Sequence, residues 1–223
     1  MEAVLEQTKK TISKYIQQFK NDGRKIYATS SFQTQSVPLL HIIGNYFPEI
    51  TILFLDTNFL FPETYAFKQK LEEEFNLNII TLKSEIPLSQ QKDKETGLFQ
   101  YAVNPDYCCY INKVKPLNDF LQSNDVWISG VRRDQTAVRK QLDIIEERDN
   151  GIIKFHPMLD WTNRLIYQYI RENNLPKHPL EDAGYVSIGC VPCTHKWTDA
   201  DDKRGGRWVG SNKTECGLHT NTK

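Results

Sequence analysis

No stretch of this 223-residue chain approaches the roughly 18 consecutive apolar residues that a bilayer-spanning helix requires, so a membrane protein is not expected. Its start, MEAVLEQTKK, carries acidic residues and no apolar core, so it does not read as a secretory leader, and a cytoplasmic location is expected. An excess of either charge is also missing: 28 basic residues face 28 acidic ones, which argues against a broad nucleic-acid-binding surface. Any anion the chain binds must be small and met by a local cluster of cations. Cysteine is scarce and odd in number, five in all. In a reducing compartment that count is a poor disulfide framework, and metal binding or thiol chemistry moves forward. There are no internal repeats and no low-complexity tracts. What is present is enough chain to bury a real core, as one large domain or one domain with a tail.

Apolar runs and helical patterns alternate. KIYATS reads as a strand, VPLLHIIGNYF as a helix, TILFLDT as a strand apolar throughout, PETYAFKQKLEEEF as a helix opened by Pro62, and LNIITLK as a strand. VWISG then reads as a strand, AVRKQLDIIEER as a helix, IIKFHPML as a strand-like run, and TNRLIYQYIRENNL as a helix capped by Thr162. This alternation predicts an α/β fold with a doubly wound, mostly parallel sheet and ligands beyond the carboxyl ends of its strands. Periodicity fades near Gly184. The expected organisation is a nucleotide-binding α/β region over residues 1–183 and a cysteine-bearing segment and tail over 184–223, within the same domain.

Three strand ends carry polar loops. The first, Ser30 to Ser36, includes Ser31 and Gln33 and enters a helix whose backbone N–H groups favour an anion; an ordinary capped loop would look the same. The second places Asp56 and Thr57 where they could meet a ribose or base. The third carries Arg132 and Arg133, with Arg139 beyond, and arginine forks match phosphate or sulfate oxygens; a solvated charged face is the alternative. Together the three loops favour a site.

The cysteines are more specific. Cys108 and Cys109 are adjacent, Cys190 and Cys193 form a CxxC, and Cys216 is left over in a polar tail. A zinc ribbon is a common owner of CxxC, but an adjacent pair makes a single tetrahedral ion awkward. A [4Fe–4S] cluster offers each thiolate its own iron and suits adjacent ligands better. A redox CxxC of thioredoxin type would leave Cys108 and Cys109 unexplained.

In order along the chain stand LDTNFLFPETY, CCYINKVKPL, WISGVRRDQTAVR, DWTNRLIYQYI, YVSIGCVPCT, RGGRW and KTECGLH. Through these motifs the chain, from about Ser30 to His219, resembles the assimilatory adenylyl-sulfate reductases of the adenylyl-sulfate and phosphoadenylyl-sulfate reductase family. The resemblance implies an adenine nucleotide alpha hydrolase-like fold with a mobile C-terminal tail. It implies a [4Fe–4S] cluster on Cys108, Cys109, Cys190 and Cys193, and a nucleophile, Cys216, that takes up the sulfo group of adenylyl sulfate before a thioredoxin-like reductant releases it as sulfite. Lys113, Arg139, Arg204 and Arg207 match residues that contact substrate in this family, and His219, Arg132, Arg133, Ser31 and Gln33 complete the expected substrate set. The cluster-type cysteines make adenylyl sulfate the expected substrate, with its 3′-phosphorylated form a possible second one and a homo-oligomer left open. Two departures stand out: Tyr110 and Asn112 occupy positions that are often basic. The loop SSFQTQS also lacks the glycines and aspartate of the related ATP pyrophosphatases, which disfavours an ATP-dependent reaction. A zinc-bound nucleotide sensor with no enzymatic role is the competing reading.

Overall fold

The computed structural model describes residues 2–197 and 205–219. Its elements run α1 Glu2–Asn21, β1 Ile26–Ser30, α2 Val37–Tyr46, β2 Thr51–Asp56, α3 Pro62–Glu74, β3 Ile79–Lys83, the short helices α4 Gln100–Val103, α5 Pro105–Cys109 and α6 Lys115–Phe120, β4 Val126–Ser129, β5 Ile145–Glu147, β6 Ile153–Phe155, α7 Asn163–Glu172 and α8 Pro179–Asp182. The sheet order is β3-β2-β1-β4-β6-β5. All neighbours pair in parallel except β5 with β6. The expected doubly wound, mostly parallel sheet is therefore the fold observed. The order reverses between β1 and β4, and a doubly wound sheet opens a binding crevice at that point.

The strands β2 and β4 are apolar over most of their length because both of their faces are covered. Ile52 and Phe54 of β2 and Val126 and Ile128 of β4 join the larger core cluster with Ile12, Ile16, Phe19, Leu40 and Ile43. Their neighbours Leu53, Leu55 and Trp127 point the other way, into a smaller cluster with Leu117 and Leu121. Side chains alternate along a strand, so this division marks the two faces of the sheet. Helix α1 was not anticipated, although Thr8, Ile12, Ile16 and Phe19 form a stripe at helical spacing, and all four are buried. Thr162 does cap α7: its Oγ1 accepts from the Leu165 N–H at 3.2 Å. Among the described residues no helix is long and apolar enough to cross a membrane.

One expected element is absent. AVRKQLDIIEER does not form a helix; a 3₁₀ turn covers Val138–Gln141 and the chain then extends into β5. Ile145 pairs with Phe155 and Glu147 with Ile153, and the strands join through a turn in which Asn150 Oδ1 accepts from the Ile152 N–H and Gly151 takes φ +79. Sheet pairing at a free edge outweighs the local helical preference of this stretch.

Candidate active site

The carboxyl ends of β1 and β4 open onto one cavity, lined by Ser31 and Gln33 from the first loop, Arg132 and Arg139 from the β4 loop, Lys113, Gly189, Arg207, Cys216 and His219. Residues far apart in the chain meet there. In the first loop, Ser30 Oγ accepts from the Phe32 N–H at 3.0 Å, and Phe32 takes φ +53 with its ring wholly buried. Gln33 braces this loop against the CxxC segment, its Oε1 accepting from the Ile188 N–H at 3.1 Å. Ser31 is exposed at the mouth, its Oγ 3.2 Å from Ser36 Oγ.

The arginines separate into different tasks. Arg132 is buried, donating from Nη2 to Gln35 Oε1 at 3.2 Å and from Nε to Asp134 Oδ1 at 3.2 Å; burial pulls its pKa down. It holds two loops together at the back of the site. Arg133 corrects the expectation: it ion-pairs with Asp160, donates to the Leu142 carbonyl at 2.9 Å, and is not among the described residues lining the cavity. Arg139 does line it, with its guanidinium on the carboxylate of Glu215. Arg204 lies outside the described residues. Arg207 reaches the cavity because the stretch 205–208 folds back on the CxxC loop. Thr194 and Arg207 form an antiparallel bridge, and the Trp208 N–H and Arg207 Nε both donate to the Cys193 carbonyl at 3.1 Å. Gly206, at φ +77, lies so close to the chain that an added Cβ would fall 2.2 Å from the His195 carbonyl oxygen. Packing and the positive φ both require glycine here.

Asp56 and Thr57 are not among the described residues lining this cavity. Asp56 accepts from Tyr65 Oη at 2.5 Å and the Asn58 N–H at 2.9 Å and pairs with Lys83 at 3.0 Å. Thr57 Oγ1 instead lies 3.2 Å from Cys190 Sγ.

The cysteine pairs are brought together from two directions. Asn104 caps α5, accepting from the Tyr107 N–H, and α5 carries Cys108 and Cys109. The helix then widens into a π turn over Tyr110–Val114 before α6. Pro116 explains the widening, since its ring has no N–H for the Asn112 carbonyl and would clash with it in an α-helix. From the other side, Cys190 bridges Leu60, and the Val191 N–H donates to the Phe59 carbonyl at 2.7 Å. Burial pushes the Cys108 thiol up to about 12, with the charges of Cys109, Cys190 and Cys193 adding to it, and Cys193 rises to about 11 for the same reasons. Cys109 and Cys190 are buried and Cys108 and Cys193 half-buried, and together the four thiols form a donor set that a thiophilic metal centre would relieve of its protons. Among the described residues no three His, Cys, Asp or Glu side chains converge on a single-ion position. Four thiol donors from two segments are the kind of set that a thiophilic centre, a zinc ion or an iron–sulfur cluster, takes as ligands.

Lys113 sits between this group and Cys216. Burial by itself would lower its pKa, but the thiols of Cys190, Cys216 and Cys109 outweigh that and hold it above its ordinary value. At the two departures, Tyr110 is exposed, whereas Asn112 is buried and exchanges two hydrogen bonds with Gln91, at 2.7 and 3.0 Å. Asn112 Nδ2 also reaches the Cys108 carbonyl at 3.0 Å and Cys108 Sγ at 3.7 Å. A neutral amide pair thus stands where a cation is often found.

The C-terminal segment closes over the cavity. An added Cβ on Gly217 would meet Val114 at 3.3 Å and the Cys109 Cβ at 3.7 Å, so Cys216 rides against the CC helix. The His219 N–H donates to the Cys216 carbonyl at 2.9 Å, and the His219 ring stacks toward Trp127 with centroids 6.2 Å apart. Lys154, whose pKa burial pushes down to about 8, donates to the Leu218 carbonyl at 3.4 Å. Sequence reasoning missed Glu215, Lys154 and Trp127 as parts of the site; only the glutamate, inside KTECGLH, carried a signal.

The family described as the phosphoadenosine phosphosulfate reductase domain matches residues 25–196. Curated adenosine 5′-phosphosulfate reductases from Salinibacter ruber and Oceanobacillus iheyensis are 39% and 41% identical to the chain over 200 residues, covering 89% of it and 79% and 83% of their own lengths. The crystal structure of a phosphoadenylyl-sulfate reductase from Candida auris aligns with TM-score 0.63 at 27% identity, over 75% of this chain and 81% of that one. An NH3-dependent NAD synthetase from Campylobacter jejuni shares the fold alone, with TM-score 0.53 at 13% identity over 78% of this chain and 73% of that one. By the extent of these matches the chain belongs to the adenylyl-sulfate and phosphoadenylyl-sulfate reductase family.

Proposed function

We propose that the chain reduces adenylyl sulfate to sulfite and AMP, with Cys216 as the nucleophile, in the assimilation of sulfate for cysteine biosynthesis in the cytoplasm. The observation that carries this reading is that Cys216 enters the same cavity as Lys113, Arg207 and the β1 loop. The Cys216 thiolate attacks the sulfur of the substrate's sulfo group, the sulfur–oxygen bond to AMP breaks, and AMP leaves with that electron pair. The product is an enzyme S-sulfocysteine. A thiolate of a thioredoxin-like dithiol then attacks Cys216 Sγ, and sulfite departs with the pair from the sulfur–sulfur bond. The second thiol of that dithiol resolves the mixed disulfide, restores Cys216 and leaves the reductant oxidised. Two electrons pass from dithiol to sulfur, so the chemistry balances without another donor.

The nucleotide belongs over the β1 loop at the switch point, with its phosphosulfate toward Lys113 and Arg207. Those cations offset the repulsion between an anionic nucleophile and an anionic substrate and favour the charge developing on the leaving phosphate. Cys108, Cys109, Cys190 and Cys193 would hold a [4Fe–4S] cluster, which when bound supplies a fixed charge and anchors the CC helix to the CxxC segment. Residues from 184 onward then act as cluster-binding segment and nucleophile carrier of a single domain.

The test is intact-protein mass spectrometry of anaerobically purified protein after mixing with adenylyl sulfate and no reductant. The expected result is a gain of one sulfo group on Cys216 that thioredoxin removes. An unmodified Cys216 under conditions where sulfite is released would overturn the mechanism.

A further inference from the structure

We propose that Glu215 is a positioning residue that seats Cys216 in the cavity by docking on Arg139. This rests on the reading of Cys216 as the nucleophile. Glu215 and Arg139 are both buried, 4% and 6% exposed, although one belongs to the polar C-terminal segment and the other to the turn after β4. They meet as a fork: Arg139 Nη2 donates to Glu215 Oε1 at 2.7 Å and Arg139 Nε donates to Oε2 at 3.0 Å. Thr136 Oγ1 donates to the same Oε2 at 3.3 Å. Oε1 has a second donor, the N–H of Cys216 itself, at 2.8 Å. The carboxylate therefore holds both the arginine and the backbone of the nucleophile.

Arg139 is fixed in turn. Its Nη1 donates to Gln135 Oε1, and its own N–H donates to Thr136 Oγ1 at 3.3 Å. A two-point fork fixes direction as well as distance, which one ammonium contact would not. A carboxylate without a cation is strongly disfavoured at such a depth, so the fork on Arg139 gives Glu215 a defined seat inside the protein, and Cys216 follows it by one residue. Correct placement of a reacting atom is worth large factors in rate, because misplacement by about 1 Å can cost about 100-fold. Leu218 and His219 add weaker anchors on Lys154 and Trp127. The fork sets the position of Cys216 in the cavity.

Glu215 thus acts on the first half-reaction and not on the second. In the cluster-loaded protein, Glu215→Ala should slow formation of the S-sulfo adduct in single turnover by 10-fold or more. Removal of the sulfo group from adduct already formed, by a saturating dithiol, should be unchanged or faster. Iodoacetamide should alkylate Cys216, followed by peptide mapping, at least several-fold faster at the high-pH plateau, where thiolate content no longer limits the rate. A shift in the midpoint of that pH profile with an unchanged plateau would mean that Glu215 acts on thiol ionisation and not on position, and would overturn the proposal. So would equal adduct formation in parent and variant. Glu215→Gln, which keeps the acceptor for the Cys216 N–H, should fall between parent and Glu215→Ala. Arg139→Lys, which keeps the charge and loses the fork, should raise the alkylation plateau and serves if Glu215→Ala does not fold. A parent that forms no adduct would sink the reading of Cys216, whereas the alkylation comparison still decides the role of Glu215.

Discussion

The guanidinium of Arg207 lies flat against Gly189: a Cβ added to that glycine would fall 2.4 Å from Arg207 Nη2 and 2.6 Å from Cζ. The absent side chain makes room for the arginine beside the CxxC motif. Gly189→Ala should push the tip of a flexible side chain aside and not the backbone, so the melting temperature should change little. kcat/KM should nevertheless fall ~10- to 100-fold, about 1.4 to 2.7 kcal/mol, as Arg207 leaves its place. Thermal melts beside steady-state kinetics check this pair of outcomes, and unchanged kinetics would remove Arg207 from the site.

Lys113 and Arg207 approach the cavity from opposite motifs, and replacing either by Ala should cost ~2 to 4 kcal/mol of transition-state stabilisation. The loss should appear in kcat/KM. If both variants stay within a few-fold of the parent, the sulfo group sits elsewhere.

The five cysteines should divide four to one. Cys216→Ser should keep the iron content and brown colour while forming no adduct, because a serine hydroxyl supplies no anion at neutral pH without a base beside it. Cys193→Ser removes a proposed ligand and should lose iron or hold it weakly. Iron analysis and intact mass on both variants check this, and iron missing from Cys216→Ser would refute the division.

Adenylyl sulfate should be used with a higher kcat/KM than its 3′-phosphorylated form. Parallel kinetics with the two nucleotides decide it, and a preference for the phosphorylated one would reassign the substrate.

His178 is wholly buried, its Nδ1 accepting from the Leu180 N–H at 3.2 Å and its Nε2 3.1 Å from Thr64 Oγ1, and burial lowers its pKa to about 4. The unfolded chain binds this proton more readily, so the neutral imidazole contributes its full stability above pH 6.5 and loses it as pH falls toward 4. The contribution is on the order of 3 kcal/mol. Denaturant melts of parent and His178→Gln should converge as pH falls through that window, and a constant difference would show that the imidazole is not neutral in the fold.

The residues by themselves determined the alternation that builds the sheet, because strands covered on both faces must be apolar over most of their length, as TILFLD is, and helices between them must carry a stripe. They also determined the loops at the strand ends, since spacing and side-chain chemistry are written locally. Whether VRKQLDIIEER would turn into a strand was decided by the open edge of β6, a partner more than five residues away in sequence that no local preference encodes. The arginines show the same limit. Arg132, Arg133 and Arg139 look alike in the chain, yet burial makes the first a brace, Asp160 draws the second outward, and Glu215 takes the third. Which carboxylate meets which guanidinium depends on the desolvation of both at one point in space, and that point exists only once the C-terminal segment has closed over the switch point of the sheet.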